Sequence, residues 1–197
     1  MELIYIYHSG FALLGDGFTV IMDYYRDSED GQAQSDLNRL MDGVFREPGN
    51  GMPEGIVHSE LLRRPGKLYV LASHFHPDHF NKAVLQWREI RPDIIFIFSK
   101  DILRHRRAQK EDAVWLKKGE EYKDETLTVR AFGSTDVGVS FLLQADGKKI
   151  FHAGDLNNWH WMDERPKQNG KEPRRIFCMS WMIFILIRMK WMWLCFR

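Results

Sequence analysis

The sequence predicts an α/β protein in which stacked β-sheets are covered by helices. Three observations predict this class. Apolar runs of strand length recur along most of the chain, among them KLYVLAS and DIIFIFS. The segment between these two runs, NKAVLQWREI, carries its apolar residues at helical spacing. The chain has 197 residues, which is enough for one domain with a sizeable core.

The first elements are predicted to be strands and the loop that follows them. ELIYIYH and FALLGDGFTVIMDYY contain apolar runs around a Gly-Asp-Gly turn, which indicates strand, turn and strand. Residues 27–55 are polar and rich in glycine. A loop of this length is usually functional or mobile, and it is expected to cover one face of the fold and to shape specificity.

The central segment alternates strand and helix. KLYVLAS is predicted to be a buried strand that brings SHFHPDH to its carboxyl end. The helix NKAVLQWREI stops at Pro92, after which DIIFIFS begins the next strand. The charged stretch that follows is predicted to be partly helical. TLTVRAFGS is then a strand, and VGVSFLLQADGKKIFHAGD is a hairpin with an Asp-Gly turn.

The composition excludes several classes of function. Hydrophobic residues make up 44% of the chain, charged residues 28%, and the net charge is +1. This charge gives no general reason to bind nucleic acid or an anionic membrane. Two cysteines, Cys178 and Cys195, cannot build a disulfide framework. The opening MELIYIYHSG lacks the basic start and apolar core of a signal peptide, so a cytoplasmic location is expected.

The stretch ASHFHPDHF crowds three histidines and an aspartate into six positions. Alternate residues of an extended chain face the same side, so His74 and His76 can point to one place. Pro77 then forces a turn that can bring Asp78 and His79 to the same side. Imidazole and carboxylate ligands suit Zn²⁺ or another borderline metal. The alternative interpretation is a solvated loop that happens to be polar.

A second group of candidate residues follows the last predicted strand, in IFHAGDLNNWHW. Asp155 comes directly after a glycine at the strand end, which suits a carboxylate that bridges two cations. A Gly-Asp turn is common by itself, so this indication depends on the histidine cluster. His152 is expected to support the site rather than to coordinate a metal, and His160 to line the pocket.

These motifs resemble those of the metallo-β-lactamase superfamily. HFHPDH resembles its H-x-H-x-D-H motif, and HAGD resembles its bridging-aspartate motif. The opening HSGFALL and FTVIMDYY resemble the first hairpin of the lactonase-like branch of metal-dependent hydrolases. The resemblance covers residues 1–164. It implies the αββα sandwich of this superfamily, incomplete at the C-terminus.

The resemblance also implies a set of metal ligands and a reaction. His74 and His76 would bind one metal, Asp78 and His79 a second, and Asp155 would bridge the two. One or two Zn²⁺ ions are implied, with Mn²⁺ or Fe²⁺ as alternatives. The implied reaction is hydrolysis of a small ester, lactone or phosphoester by a metal-bound hydroxide. Asp78 would be the catalytic residue that orients the attacking water.

Two ligands that the resemblance implies are in doubt in this sequence: a third histidine before the last hairpin, and a final histidine that members of the superfamily carry beyond the bridging aspartate. Its members take a third histidine from the loop before the last hairpin, whereas that loop here reads FGSTDVGVSF. Asp136 is the best substitute, as an oxygen ligand, and the alternative is that it is only a turn residue. His105 lies in the basic stretch RHRR and is expected to face solvent. His8 and His58 are expected to be structural or exposed.

Residues 165–197 form a tail of unusual composition. They contain both cysteines, four of the nine methionines and three of the seven tryptophans. Its apolar run is shorter than the roughly 20 residues of a membrane span, and a buried core element is one alternative. Because the composition changes where the resemblance ends, a one-base deletion near codon 165 that gives a non-native, truncated tail is the favoured hypothesis. Resequencing the coding DNA beyond this codon tests it, and an unchanged frame in independent isolates would contradict it.

Three functional interpretations remain open at this point. The leading one is a metal-dependent hydrolase with a small-molecule substrate. The second is a non-enzymatic remnant with a partial metal site, whose exposed sheet face would favour aggregation or a homo-oligomer. The third is a nuclease of the same fold, supported only by the basic residues 104–107. No membrane partner is expected.

Overall fold

The structure is a computed structural model that describes residues 1–25, 56–57 and 59–156, together with the backbone of two strands near the C-terminus. The strands form two six-stranded sheets. Their bounds are β1 Glu2–Tyr7, β2 Gly10–Gly15, β3 Phe18–Met22, β4 Lys67–Ala72, β5 Ile95–Ser99, β6 Val114–Leu116, β7 Glu121–Lys123, β8 Thr128–Gly133, β9 Val139–Ala145, β10 Lys148–His152, β11 Met182–Ile187 and β12 Lys190–Cys195. The predicted stack of sheets is therefore present.

The first sheet has the order β1-β2-β3-β4-β5-β6. Strands β1, β2 and β3 are antiparallel neighbours, whereas β3, β4, β5 and β6 run parallel. In this register Met22 lies level with Leu71. The carboxyl ends of β3 and β4 therefore meet at one edge of the sheet, and Asp23 and Ser73 follow them there.

The second sheet has the order β12-β11-β10-β9-β8-β7 and is antiparallel throughout. The predicted hairpin is β9–β10, and both residues of its Asp146-Gly147 turn have positive φ angles. This conformation is typical of the tight turns that match the twist of a hairpin. Strands β11 and β12 form a further hairpin, in which β11 pairs with β10.

Two apolar layers account for the burial of the first sheet on both faces. One cluster lies between the sheets and includes Phe11, Tyr69 and Phe141. The other lies on the outer face of the first sheet and includes Phe80 and Phe98. Since both faces of β4 and β5 are covered, these strands are apolar without alternation, as parallel strands usually are.

Short helices cover this outer face. The described helices are Ser59–Leu62, Lys82–Glu89, Lys100–Arg104 and Lys110–Asp112. The segment predicted to be helical, NKAVLQWREI, forms a 3-10 helix that begins after Asn81, whose side chain accepts a hydrogen bond from the backbone N–H of Ala83. None of the helices in the described part of the chain has the length and hydropathy of a membrane span.

A carboxylate fastens the two sheets at the end of the sandwich where β4 begins. Asp124 Oδ2 accepts hydrogen bonds from Lys67 Nζ and Tyr69 Oη of the first sheet, at 3.0 and 2.7 Å. It also accepts one from Tyr122 Oη of the second sheet, at 3.0 Å. Burial and the bond to Asp124 raise the pKa of Tyr122 to about 12, so its hydroxyl stays a donor at neutral pH.

A glycine allows the sheets to approach each other at the opposite end. The backbone N–H of Val139 donates to the carbonyl of Ser73 at 2.9 Å. Gly138, with φ of +74°, lies so close that an added Cβ would be 2.2 Å from that carbonyl oxygen and 2.5 Å from Cβ of His74. Only a residue without a side chain fits between β9 and the histidine motif.

We predict that Gly138→Ala destabilises the protein more than Gly147→Ala does. Both positions have positive φ, which costs an alanine about 1–2 kcal/mol. At Gly147 nothing lies within 4 Å of the added atom, whereas at Gly138 the overlap adds about 1–3 kcal/mol. Urea unfolding of the two variants measures the difference. Equal losses of stability would show that the close approach at Gly138 is not constrained.

Candidate metal centre

Five chain segments bring polar side chains to one edge of the sandwich. They are the β1–β2 turn, the end of β3, the loop after β4, the loop before β9 and the loop after β10. They contribute His8, Asp23, the histidine motif, Asp136 and Asp155, respectively. Each follows or precedes an apolar strand, so the two sheets fix the position of all five segments.

The first cluster consists of His74, His76, Asp136 and Asp155, whose ligand atoms all lie within 4.8 Å of one another. His74 Nε2 is 3.0 Å from His76 Nδ1 and 3.5 Å from Asp155 Oδ2. His76 Nδ1 is 3.9 Å from Asp136 Oδ2. Two nitrogens and two carboxylate oxygens therefore face one small volume.

The second cluster consists of His8, Asp78 and His79. Asp78 Oδ2 lies 3.7 Å from His8 Nε2 and 4.0 Å from His79 Nε2. The hydroxyl of Ser9 donates to the backbone carbonyl of Asp78, at 3.3 Å. His8 has φ of +57°, so a left-handed residue in the β1–β2 turn points its ring to this group.

Asp155 lies between the two clusters. Its Oδ2 is 3.5 Å from Nε2 of His74, and its Oδ1 is 3.3 Å from Nε2 of His79. One carboxylate thus offers one oxygen to each cluster. Gly154, with φ of +55°, allows this placement, because an added Cβ would lie 2.8 Å from Ser73 Oγ.

A buried carboxylate, Asp23, organises the centre from beneath. Its Oδ2 accepts hydrogen bonds from His79 Nδ1 and His152 Nε2, both at 2.8 Å, and from Ser73 Oγ at 2.6 Å. Its Oδ1 accepts the backbone N–H of Ser73 at 2.7 Å. Burial by itself would raise the pKa of Asp23, but His152 and His79 outweigh it and hold the pKa well below its ordinary value.

These hydrogen bonds set the tautomers of two histidines. Because Asp23 accepts from Nδ1 of His79, the lone pair of that ring is left on Nε2 when the imidazole is neutral. Ser73 Oγ donates to Asp23 and therefore accepts from Nδ1 of His74, at 2.9 Å. His74 also keeps its lone pair on Nε2. Both lone pairs face Asp155, and such supporting bonds are usual behind metal-binding histidines.

The carboxylates favour positive charge at this place. Burial by itself lowers the pKa of His79, but Asp155 and Asp23 outweigh it and raise the pKa to about 10. Burial acts to raise the pKa of Asp155, yet its bonds to His74 and His79 hold that pKa well below its ordinary value. A metal cation competes with protons for such ligands, so the same groups favour either kind of positive charge.

The donor set fits a divalent metal. Two ligands of a tetrahedral Zn²⁺ site lie about 3.4 Å apart, from the usual ligand distances of about 2.0–2.2 Å. The contacts in the first cluster, from 3.0 to 3.9 Å, are close to this value. His74 and His79 are buried, whereas His76, Asp78 and Asp136 are partly or fully exposed. A substrate can therefore reach the centre from the exposed side.

All six residues that the sequence predicts as ligands, Asp136 among them, lie at this edge, and their role as metal ligands stays a prediction. His152 lies behind the centre, as expected for a supporting residue. His105 is exposed and stacks on Phe75 with a ring separation of 3.7 Å, outside both clusters. His58, His160 and the loop 27–55 lie outside the described residues.

Sequence reasoning missed two residues of the centre. His8 was expected to be structural or exposed, but the structure places it in the second cluster. A histidine directly after a strand, in YIYHSG, was the available signal. Asp23 follows the apolar strand FTVIM in the same way. An aspartate at the end of such a strand is a weak signal until its neighbours are known.

Two facing sheets with a His- and Asp-rich centre at one edge define the class of metallo-β-lactamase-fold proteins. Residues 2–169 match the family model described as beta-lactamase superfamily domain, and the chain belongs to this family. The match does not distinguish the lactonase-like branch, which stays a prediction. No curated protein matches the sequence.

Solved structures share the fold at low sequence identity. A metallo hydrolase from Ignicoccus hospitalis, Igni18, is 19% identical with a TM-score of 0.51, over 81% of this chain and 63% of that one. A possible metal-dependent hydrolase from Veillonella parvula is 13% identical with a TM-score of 0.51, over 81% and 64%. CmlA, a diiron beta-hydroxylase from Streptomyces venezuelae, is 16% identical with a TM-score of 0.51, over 82% and 30%. The chain thus spans less than two thirds of the length of these proteins.

Proposed function

We propose that this chain is a metal-dependent hydrolase that acts on a small ester, lactone or phosphoester. The observation that carries the proposal is the carboxylate of Asp155, which offers one oxygen to each of two His/Asp clusters. Paired ligand clusters that share a carboxylate are suited to two divalent cations a short distance apart. The membership of the chain in the beta-lactamase superfamily supports the same reaction class.

We assign the ligands by cluster. His74, His76 and Asp136 would hold one cation, and His8, Asp78 and His79 the other, with Asp155 shared between them. Zn²⁺ is the proposed ion because the set mixes imidazoles and carboxylates. Mn²⁺ and Fe²⁺ suit the same donors, and one structural neighbour is described as a diiron enzyme. A divalent cation supplies Lewis acidity, which acidifies water and polarises the bond to be cleaved.

The residues of the chain supply orientation. Asp23 fixes the ring of His79, and through Ser73 it fixes that of His74, so both rings are oriented in advance. Asp78 is partly exposed and lies at the open side of the centre. Its carboxylate would orient a water that approaches from solvent and accept a proton from it. The buried histidines beneath Asp155 exclude water from the opposite side.

Metal analysis and hydrolysis assays test this function together. We predict that protein supplied with Zn²⁺, Mn²⁺ or Fe²⁺ retains between one and two equivalents of one of them. It should hydrolyse at least one of three substrates: a p-nitrophenyl ester, a simple lactone or a phosphodiester. His76→Ala should lower that activity by at least about 100-fold. Loss of a residue that only supports a metal ligand already lowers metal affinity or activity by about 10–100-fold, and loss of a ligand should cost at least as much.

The matched control is His105→Ala. This histidine lies outside both clusters, so the variant should keep its metal and at least half of its activity. A protein that retains no metal and cleaves none of the three substrates would instead match a non-enzymatic remnant. Equal activity in His76→Ala and the unaltered protein would contradict the assignment of the ligands.

A further inference from the structure

A basic cavity lies on the outer face of the first sheet, separate from the metal centre. It has a volume of about 540 Å³ and lies between the 3-10 helix Lys82–Glu89 and the segment that follows helix Lys100–Arg104. Small-molecule sites usually have volumes of about 300–1,000 Å³. None of its lining residues belongs to either metal cluster.

Four cationic side chains line this cavity without an ion pair among the described residues. They are Lys82, Arg106, Arg107 and Lys110. The single carboxylate in the lining, Asp112, is already bound elsewhere. Its Oδ2 accepts the backbone N–H of Gln109 at 2.6 Å, and its Oδ1 lies 3.9 Å from Arg88. The lining therefore carries four positive charges and one negative charge, although the whole chain has a net charge of only +1.

One of the two arginines, Arg107, carries a sign of a site for an anion. The Nε of Arg107 is shielded from solvent and has no hydrogen-bond acceptor in the described part of the chain. A shielded donor without an acceptor is unfavourable, and a bound anion would supply the acceptor. Arg106 lines the cavity as well, and its φ of +54° is that of the left-handed residue that ends helix Lys100–Arg104, where the backbone N–H groups of Arg106 and Arg107 donate to the carbonyls of Leu103 and Ile102.

The remaining wall of the cavity is apolar. Leu85, Leu103 and Ala108 line it, and all three are partly buried. A ligand that matches both the basic and the apolar part of the lining has a compact group with several negative charges joined to a group with apolar faces. Lysine and arginine bind phosphate oxygens strongly, and the apolar wall can pack against a ring. We infer that this cavity binds a nucleoside diphosphate or triphosphate, at a second site distinct from the metal centre.

Isothermal titration calorimetry with ATP tests this inference. The protein should bind one equivalent of ATP outside the metal centre, with an affinity that falls as the salt concentration rises. The double variant Lys82→Gln/Lys110→Gln should bind ATP at least about tenfold more weakly, because it removes two charge-assisted contacts. Both lysines are exposed, so the variant should unfold at the same temperature as the parent.

The matched control is Lys123→Gln/Lys149→Gln, which removes the same charge from exposed positions of β7 and β10. It should bind ATP within twofold of the parent. His76→Ala should also keep ATP binding, since that residue lies in the metal centre. If ATP binding is lost in His76→Ala but kept in Lys82→Gln/Lys110→Gln, the nucleotide binds at the metal centre and the inference is wrong.

Two further probes test the kind of ligand. Inorganic triphosphate should bind more weakly than ATP, since it lacks a group for the apolar wall. Equal affinity for both would overturn the assignment of a nucleotide. A single-stranded DNA oligonucleotide should not displace ATP at the same concentration of phosphate groups. Displacement would point to a polynucleotide surface instead, and no binding of ATP at all would exclude the site.

Discussion

Asp155→Asn is expected to remove at least one of the two proposed cations and to lower hydrolysis by about 100-fold or more. The substitution keeps the shape of the side chain but removes its charge. It also replaces one of two oxygens that face His74 and His79 with an amide nitrogen, which cannot act as a ligand. Loss of a residue that only supports ligands costs about 10–100-fold, so a shared ligand should cost more.

Metal content and kcat/KM of the same preparation measure this effect. Asp16→Asn is the matched control, because Asp16 is exposed in the β2–β3 turn and far from the centre in the fold. The control should retain the metal content and kcat/KM of the parent. Retention of the full metal content in Asp155→Asn would show that Asp155 is not shared between two cations.

Asp23→Ala is expected to cost about 3–5 kcal/mol of unfolding free energy, which is the usual result of removing one partner of a buried charged pair. The substitution leaves the donors of His79, His152 and Ser73 without their shared acceptor. All of these groups are buried, so water cannot replace the carboxylate without opening the core. Since small domains have only about 5–15 kcal/mol of stability in total, this variant should be close to unfolding.

Urea unfolding with and without EDTA measures this loss. If Asp23 acts through the buried network, the loss should persist in EDTA, whereas an effect through metal binding alone should disappear there. Asp16→Ala, an exposed position, should cost less than about 0.5 kcal/mol. Asp23→Asn should be intermediate, because an amide can still accept from the histidines but meets the backbone N–H of Ser73 with a donor. An unchanged stability in Asp23→Ala would contradict the role of this network.

Much of the fold follows from local patterns in the sequence. The apolar run of β4 predicts a buried strand because both faces of a central parallel strand are covered. The Asp-Gly turn of β9–β10 predicts a hairpin because it favours the positive φ angles that such turns need. The segment NKAVLQWREI was predicted to be helical, and the structure forms a 3-10 helix there, Lys82–Glu89. An α-helix has about 3.6 residues per turn and a 3-10 helix about 3.0, and the apolar spacing in a segment of eight residues is too short to distinguish the two.

The centre was predictable where its residues are close in sequence. His74, His76, Asp78 and His79 belong to one short motif, so their proximity requires only local geometry. His8 and Asp23 are different, because their place depends on strand pairing. Asp23 meets Ser73 only since β3 and β4 run parallel with Met22 level with Leu71. No single segment of the sequence determines how β3 pairs with β4, so the place of His8 and Asp23 in the centre can be seen only once the sheet is assembled.

The hydrogen bonds of Asp124 limit how far the two sheets can separate in the folded protein. They fasten the sheets where β4 begins, while the Ser73–Val139 contact fastens them where β4 ends. In the described part of the chain, neither end of β4 can therefore separate from the second sheet unless these hydrogen bonds break. We therefore expect amide protons in the middle of β4 to exchange with solvent mainly when the whole domain unfolds. Their exchange rate reports the global stability of the molecule.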